Sequence, residues 1–393
     1  MLVQDVTNSA IQRTPRTASI CLTLDMGARD DPANASGLAH LLEHALMAGP
    51  VQGKHSLSEF VERAGGRTNA ETGLERMLFY AQVLAEDLDE VTDLLIRAVI
   101  TPEFDGDILS AERAVVAREL DAAAADPADV VQDAFLASLF PRHPLGRPVG
   151  GTTDSVRDIT GHAVRAHHDL MFSSRRTAIA VAGPRAPRID LAGPAIRAGG
   201  TAARVAAPLG PVHHEEIHWP AEYSWVCVGG RSAAAGSAER SRYEVLAALC
   251  GASPFSPLYR TLRNEHGLAY SFQSWHRGYT EAGAWRVLIG TDAAHGPAVV
   301  ELVTTVLREL AERGPSSDDL HAAHRQVCSA LVFDTEDPLE HARRLATGAV
   351  TGEPFSTDAD TALVRAVTRE DISRTAQHIL RDLVVTVRPR PTR

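Results

Sequence analysis

The sequence predicts an α+β protein made of two similar halves, residues 1–200 and 201–393, each a mostly antiparallel sheet of five or six strands with helices packed on one face. Three observations predict it. Short alternating, β-branched runs are interleaved with longer helical patterns in both halves. The order of these elements repeats at a period of roughly 200 residues, which is the mark of an internal duplication. Between the halves, Gly193 to Val212 is rich in Gly, Ala and Pro and lacks periodicity, the composition of a linker.

Bulk composition narrows the function. The 393 residues are 44% hydrophobic and 23% charged, an ordinary soluble balance long enough for more than one domain. A net charge of -11 argues against a nucleic-acid or membrane-surface partner. Cys21, Cys227, Cys250 and Cys328 lie far apart with no C-x-x-C pair, so they read as small buried hydrophobes in a reducing compartment. The opening MLVQDVTNSAIQRTPR has no apolar signal region, and no apolar run reaches membrane-spanning length. A cytoplasmic protein is expected.

In the first half, Thr17 to Met26 alternates and predicts a strand, and Gly27 to Asn34 a polar turn. Asn34 or Ser36 is placed to cap the next helix, which Gly49-Pro50 ends. That helix carries Gly37-Leu-Ala-His40-Leu-Leu-Glu43-His44-Ala-Leu-Met and is apolar on most sides, which points to burial. His40 and His44 share a face one turn apart, a ready clamp for zinc. Glu43 projects from the same side, where a carboxylate can take a proton from a water that the metal activates. The order His-x-x-Glu-His is that of the inverted zincins. Buried imidazoles and a carboxylate need partners, and a metal supplies one.

Ser56 or Ser58 starts a second helix, broken at Ala64-Gly65-Gly66. Two strands follow at Arg67–Thr72 and Arg76–Val83, turning near Gly73, and then a helix over Asp87–Ile100. Asp105 to about Ala125 is the longest helical stretch of this half. On it Glu112 and Glu119 are seven residues apart and share a face. A catalytic zinc needs a third protein ligand beside the two histidines. Spacing leaves Glu112, Glu119 and a merely solvated acidic face all open. Asp133–Phe140 predicts a helix, and the loop after it holds His143, which reads as an ordinary loop histidine. Shorter helices are expected near Thr153–Arg157 and Gly161–Met171, and a strand at Thr177–Ala182. His213-His214-Glu215-Glu216 reads as solvated, because adjacent side chains point different ways.

The second half repeats the plan. Strands are expected at Ser224–Gly229, Tyr270–Trp275, Ala284–Thr291 and Leu383–Val387, and helices at Ser237–Cys250, Pro257–Glu265, Ala298–Arg313 and Ser317–Asp334. No second His-x-x-Glu-His occurs, so this half reads as a degenerate copy that binds substrate and closes the site.

Five segments stand in order between Gly37 and Ser271: GLAHLLEHALMAG, GGRTNAET followed by Tyr80, AERAVVAREL, HPLGRPVGGT and LRNEHGLAYS. Together they resemble the pitrilysin-type metallopeptidases, the insulinase-like inverted zincins that include insulin-degrading enzyme and mitochondrial processing peptidase. The chain is most similar to the short bacterial branch related to the processing peptidase. It departs modestly, with Pro50 where the family commonly has threonine.

The resemblance implies one zinc per chain on His40, His44 and Glu119, the last lying 75 residues after His44 as in the family. It places Glu112 behind the metal ligands and makes Glu43 the general base. It implies that Arg263 and Tyr270 reach the scissile peptide, and that Asn69 and Ala70 pair with it. The expected protein is a zinc-dependent endopeptidase acting on peptides or unfolded segments in a chamber formed by two chains, a homodimer or a heterodimer with a related chain. A different reading is a catalytically silent or partner-dependent subunit. Such family members typically lose a histidine or the base, and none of these is lost here. A third reading, a zinc hydrolase acting on something other than peptides, is weakened by Arg263 and Tyr270.

Overall fold

The computed structural model describes residues 16–51, 53, 55–103, 105–189, 204, 206–269 and 271–390. In chain order the first half runs β1 (Thr17–Leu24), α1 (Leu38–Ala48), the small hairpin β2 (Pro50–Val51) and β3 (His55–Ser56), α2 (Leu57–Arg63), β4 (Arg67–Thr72), β5 (Met77–Leu84), α3 (Leu88–Ile100), α4 (Gly106–Ala125), α5 (Pro127–Leu139), α6 (Thr153–Arg157), α7 (Gly161–Ser174) and β6 (Thr177–Ala182). The second half runs β7 (Tyr223–Ser232), α8 (Arg240–Leu249), α9 (Pro257–Tyr259) continuing as a π-helical stretch (Arg260–Glu265), β8 (Ser271–Gly278), β9 (Gly283–Asp292), α10 (Gly296–Arg313), α11 (Ser317–Glu336), α12 (Pro338–Thr351), α13 (Thr357–Arg365), α14 (Arg369–Arg381) and β10 (Val384–Arg388).

Most elements stand where the sequence puts them, and the exceptions have local causes. Helix α5 begins at Pro127 rather than Asp133, because Pro at the first helical turn and the Asp126 side chain, which accepts from Ala128 N, open a new helix right after α4. Helices α12, α13 and α14 were not expected from the pattern. Of the linker, residues 193–203 and 205 lie outside the described residues, and 206–212 form neither helix nor strand.

The chain folds as two compact units. One comprises the described residues of Met1–Asp121, Arg147–Arg204 and Phe333–Phe355, the other those of Ala122–Gly146, Val205–Val332 and Ser356–Arg393. The units therefore differ from a simple cut at residue 200: α5 of the first half belongs to the second unit, and α12 of the second half to the first.

In the first unit the sheet order is β4-β5-β1-β6, with every neighbouring pair antiparallel. Strand β1 is buried on both faces. Ala18, Ile20, Leu22 and Leu24 pack with Leu38, Leu41, Leu42 and Ala45 of α1 and with Val91 and Leu95 of α3. The opposite face sets Cys21 of β1 and Ala180 and Ala182 of β6 against Ala342, Leu345 and Ala346 of α12. Helices thus cover both faces rather than one. The small side chains on the second face are what let α12 lie close. Among the described residues, strand β4 stands at the sheet's edge.

The second unit repeats this layout strand for strand, in the order β10-β7-β9-β8, also antiparallel throughout. Helix α5 plays the part that α12 plays in the first unit. Thr386 of β10 donates to the carbonyl of Val131 (3.1 Å), and the Arg286 guanidinium of β9 lies 5.9 Å from the Phe135 ring. Among the described residues each main sheet has four strands, fewer than the five or six expected. Matching strand order in two sheets built from successive halves is what an internal duplication leaves behind. All four cysteines are buried and free. Burial pushes the Cys21, Cys227 and Cys250 thiols up to about 12, which leaves them unreactive.

Candidate metal centre

The first unit brings three ligand-type side chains together. His40 and His44 project from one side of α1, with ring centroids 4.9 Å apart in an edge-to-face arrangement. Glu119 reaches them from α4. Its Oε2 lies 3.2 Å from His44 Nε2 and 3.8 Å from His40 Nε2. Among the described residues, only His40, His44 and Glu119 bring three such groups within 4.8 Å of one another.

These distances can be tested against zinc. Bonds of about 2.0–2.1 Å in tetrahedral geometry put donor atoms roughly 3.4 Å apart. The separations of 3.2 and 3.8 Å from Glu119 Oε2 bracket that value, and all three donor atoms lie within 4.8 Å of one another, a spacing compatible with one zinc ion. Protonation agrees with the geometry. Burial, reinforced by His44, holds the His40 imidazole down at about 4 even though Glu119 opposes the shift, so His40 is neutral near pH 7 with a free lone pair. The Glu119 side chain is 49% exposed while the histidines are 17–20% exposed, which leaves the site open on the glutamate side.

The structure separates the two glutamates that spacing could not. Glu112 Oε2 is 3.1 Å from His44 Nδ1, on the ring nitrogen that faces away from Glu119. With Nδ1 donating to Glu112, the lone pair of His44 falls on Nε2, toward the ligand cluster. Among the described residues His40 has no such partner: its Nδ1 is buried without a hydrogen bond and lies beside Gly150, where an added Cβ would come within 3.4 Å of it.

Glu43 stands on the same side of α1. Burial raises its pKa, and a hydrogen bond from Thr72 and the nearby His44 oppose the rise. The Thr72 hydroxyl donates to Glu43 Oε2.

Residues remote in sequence hold α1 in place. Neither Asn34 nor Ser36 caps it. Instead Asp31 accepts from the backbone N–H groups of Gly37 (2.8 Å), Leu38 (3.1 Å) and Ala39 (2.9 Å), taking up donors that the first helical turn leaves unpaired. Burial pushes the Asp31 carboxyl up to about 7 against these bonds. Gly37 has φ +92°, and a Cβ there would strike the Gly150 carbonyl at 2.4 Å. The loop after α5 and helix α6 close on this end, with Arg147 of the loop donating to the Asp31 carbonyl (3.0 Å) and Ser155 of α6 to that of Ser36 (2.8 Å).

The remaining expected residues lie elsewhere. Asn69 and Ala70 sit on edge strand β4, opposite Tyr80 and Phe79 of β5. Arg263 belongs to the second unit, its guanidinium 5.4 Å over the Tyr259 ring. Tyr270 lies outside the described residues. His143 is buried 3.8 Å from Glu281 in the second unit, and Glu215 pairs with Arg388 and Arg390. Sequence reasoning did not find Asp31, Thr72 or Gly150. The GGRTNAET and HPLGRPVGGT segments contained two of them without stating their roles.

Helix α1 presents two histidines and a carboxylate to a glutamate from α4, within a duplicated antiparallel fold. Comparison with known proteins gives the family. Residues 8–153 match the profile of the insulinase family, peptidase family M16, and residues 206–327 that of the peptidase M16 inactive domain. The chain belongs to this insulinase-like family. It is similar to an uncharacterized zinc protease of Mycobacterium bovis, 29% identical over 93% of this chain and 86% of that protein. It is also similar to the mitochondrial-processing peptidase subunit beta of Blastocladiella emersonii, 25% identical over 94% of this chain and 83% of that one. In fold it resembles the crystal structure of a peptidase M16 inactive domain from Pseudomonas fluorescens, with a TM-score of 0.80, 17% identity, and coverage of 97% and 95% of the two chains. No described helix is long and apolar enough to cross a membrane.

Proposed function

We propose that this chain is a zinc-dependent endopeptidase that hydrolyses peptides or unfolded segments. One zinc per chain would be held by His40, His44 and Glu119. The observation that carries the reading is the arrangement of those three side chains at zinc-compatible spacing with Glu43 on the same face of α1. Its membership in a peptidase family with zinc-protease relatives supports it.

Bound zinc supplies positive charge that acidifies a water and polarises the scissile carbonyl. Glu43, whose pKa burial raises, takes the proton from the attacking water at a carboxylate oxygen and delivers it to the leaving nitrogen. Glu112 holds the His44 tautomer through Nδ1. The substrate backbone adds to β4, the edge strand among the described residues, at Asn69 and Ala70, a mode that reads extended shape more than sequence. Arg263 and Tyr270, from this chain or a partner's second unit, stabilise the negative charge that develops on the carbonyl oxygen. The working form is a dimer, with itself or with a related chain, enclosing the peptide in a chamber in the cytoplasm.

The test is zinc content together with cleavage of a mixed peptide library by the purified chain alone. Zinc near one per chain with cleavage is expected. Zinc without cleavage favours a partner-dependent or silent subunit, and neither zinc nor cleavage rejects the reading. Glu43→Gln is expected to lower turnover by roughly 10³-fold or more while zinc content stays unchanged. Loss of zinc in that variant would make Glu43 a ligand and remove it as the base.

A further inference from the structure

Strand β4 does more than offer an edge. It ends at Thr72, opposite Met77 of β5. Alternation puts Thr72 on the same face as Ala70, which is buried toward the core that includes α1. Asn69 and Glu71 take the other face. There Glu71 accepts from the Tyr80 hydroxyl (3.0 Å) and pairs with Arg343 of α12. The strand is therefore anchored on its outer face by Glu71 and meets the metal helix on its inner face through the Thr72 hydroxyl, which donates to Glu43 Oε2.

We propose that Thr72 is the positioning residue for the base: by holding one oxygen of Glu43, it directs the other toward the attacking water and ties the base's alignment to the strand on which the substrate docks. The physics favours this arrangement. The terminal torsion of a glutamate is broad and roughly two-fold, so an unheld carboxylate samples many orientations. Threonine is stiff at χ1, and on a strand its hydroxyl is a nearly fixed donor. One charge-assisted bond from a rigid donor removes most of that freedom before the reaction starts. A peptide pairing along β4 fixes the strand further, so docking and base alignment reinforce each other.

This inference rests on the peptidase reading, and the experiment separates the two. Zinc-loaded wild type and Glu43→Gln are assayed first on a fluorogenic peptide. Cleavage by the former alone supports the peptidase reading. Thr72→Val, Thr72→Ser and Thr72→Ala are then compared. Thr72→Val is expected to lower kcat roughly tenfold or more with KM within about twofold and zinc content unchanged. Thr72→Ser restores most of the loss, and if Thr72→Val does not fold, Thr72→Ala takes its place. Unchanged kcat, loss of zinc, or failure of serine to rescue overturns the proposal.

A second readout is independent of activity. Melting temperatures of wild type, Thr72→Val, Glu43→Ala and the double variant form a cycle. Removing the hydroxyl is expected to cost at least about 2 °C more when Glu43 is present than when it is alanine. Additive shifts mean no coupling, and the proposal falls whatever the assay gives. Non-additive shifts with an inactive wild type defeat the peptidase reading alone.

Discussion

At the level of single side chains, the two nitrogens of His44 receive two glutamates of one helix. Nε2 faces Glu119 and Nδ1 faces Glu112. The two acids share a face of α4, so periodicity could not rank them, and only tertiary packing shows that they meet different nitrogens of His44. Glu119→Gln is expected to weaken zinc binding by at least about tenfold more than Glu112→Gln, read by competition titration with a chelating dye. The reverse order would exchange their roles. His276 gives a second prediction, far from any ligand in sequence. It stacks on Tyr243 at 5.5 Å and meets the Ala233 carbonyl at 3.1 Å. Burial holds it down at about 4, against an ordinary value near 6.5. A histidine held below its unfolded pKa is neutral when folded, so its contribution is fully present above about pH 6.5 and is lost as pH falls toward 4. That loss is about 3 kcal/mol. The tryptophans Trp219, Trp225, Trp275 and Trp285 all lie in the second unit, so their fluorescence follows its unfolding. His276→Gln is expected to flatten the acid-side decline in the urea midpoint. An identical decline in wild type and variant would assign the acid sensitivity to other groups.

Among elements, α1 shows what a motif can and cannot reveal. Its helicity, burial and the shared face of His40, Glu43 and His44 follow from spacing, because helix period is a local property. Its anchoring does not, because Asp31, Thr72 and Gly150 reach it through tertiary contacts that leave no periodic trace. Helix α5 is a different case: the signal that starts it, Asp126 followed by Pro127, is local, but it comes directly after α4 ends, and the sequence pattern places the start only at Asp133. Gly150 gives the element-scale test. A Cβ there would meet Leu120 Cδ2 at 2.5 Å and His40 Nδ1 at 3.4 Å. The leucine has to move, and the imidazole is already at contact distance. Gly150→Ala is therefore expected to weaken zinc binding several-fold by displacing His40, with circular dichroism unchanged. Unaltered affinity would mean that the pocket around His40 yields without cost.

In the whole molecule, the exchange of α5 and α12 gives each unit a helix from the opposite half of the chain. Local patterns gave most strands of both sheets in order but not this exchange. A helix stripe as modest as Ala342, Leu345 and Ala346 says that it packs, not against which sheet. The exchange predicts crossed effects. Ala346→Asp lies in the second half of the chain, yet it places a charge against the β1–β6 face that buries Cys21. It is expected to expose Cys21 to a thiol reagent, located by mass spectrometry, and to loosen zinc binding, while the tryptophan-reported transition of the second unit stays near wild type. Phe135→Ala lies in the first half but empties a fully buried site in the second unit, at a cost of roughly 3–5 kcal/mol. It should lower the tryptophan-reported transition and leave Cys21 protected. Effects confined to the unit of each substitution's own half would mean that the two helices are not exchanged. If the crossed pattern holds, neither half carries a complete core alone, and the degenerate copy is retained because the metal-bearing sheet needs its helix.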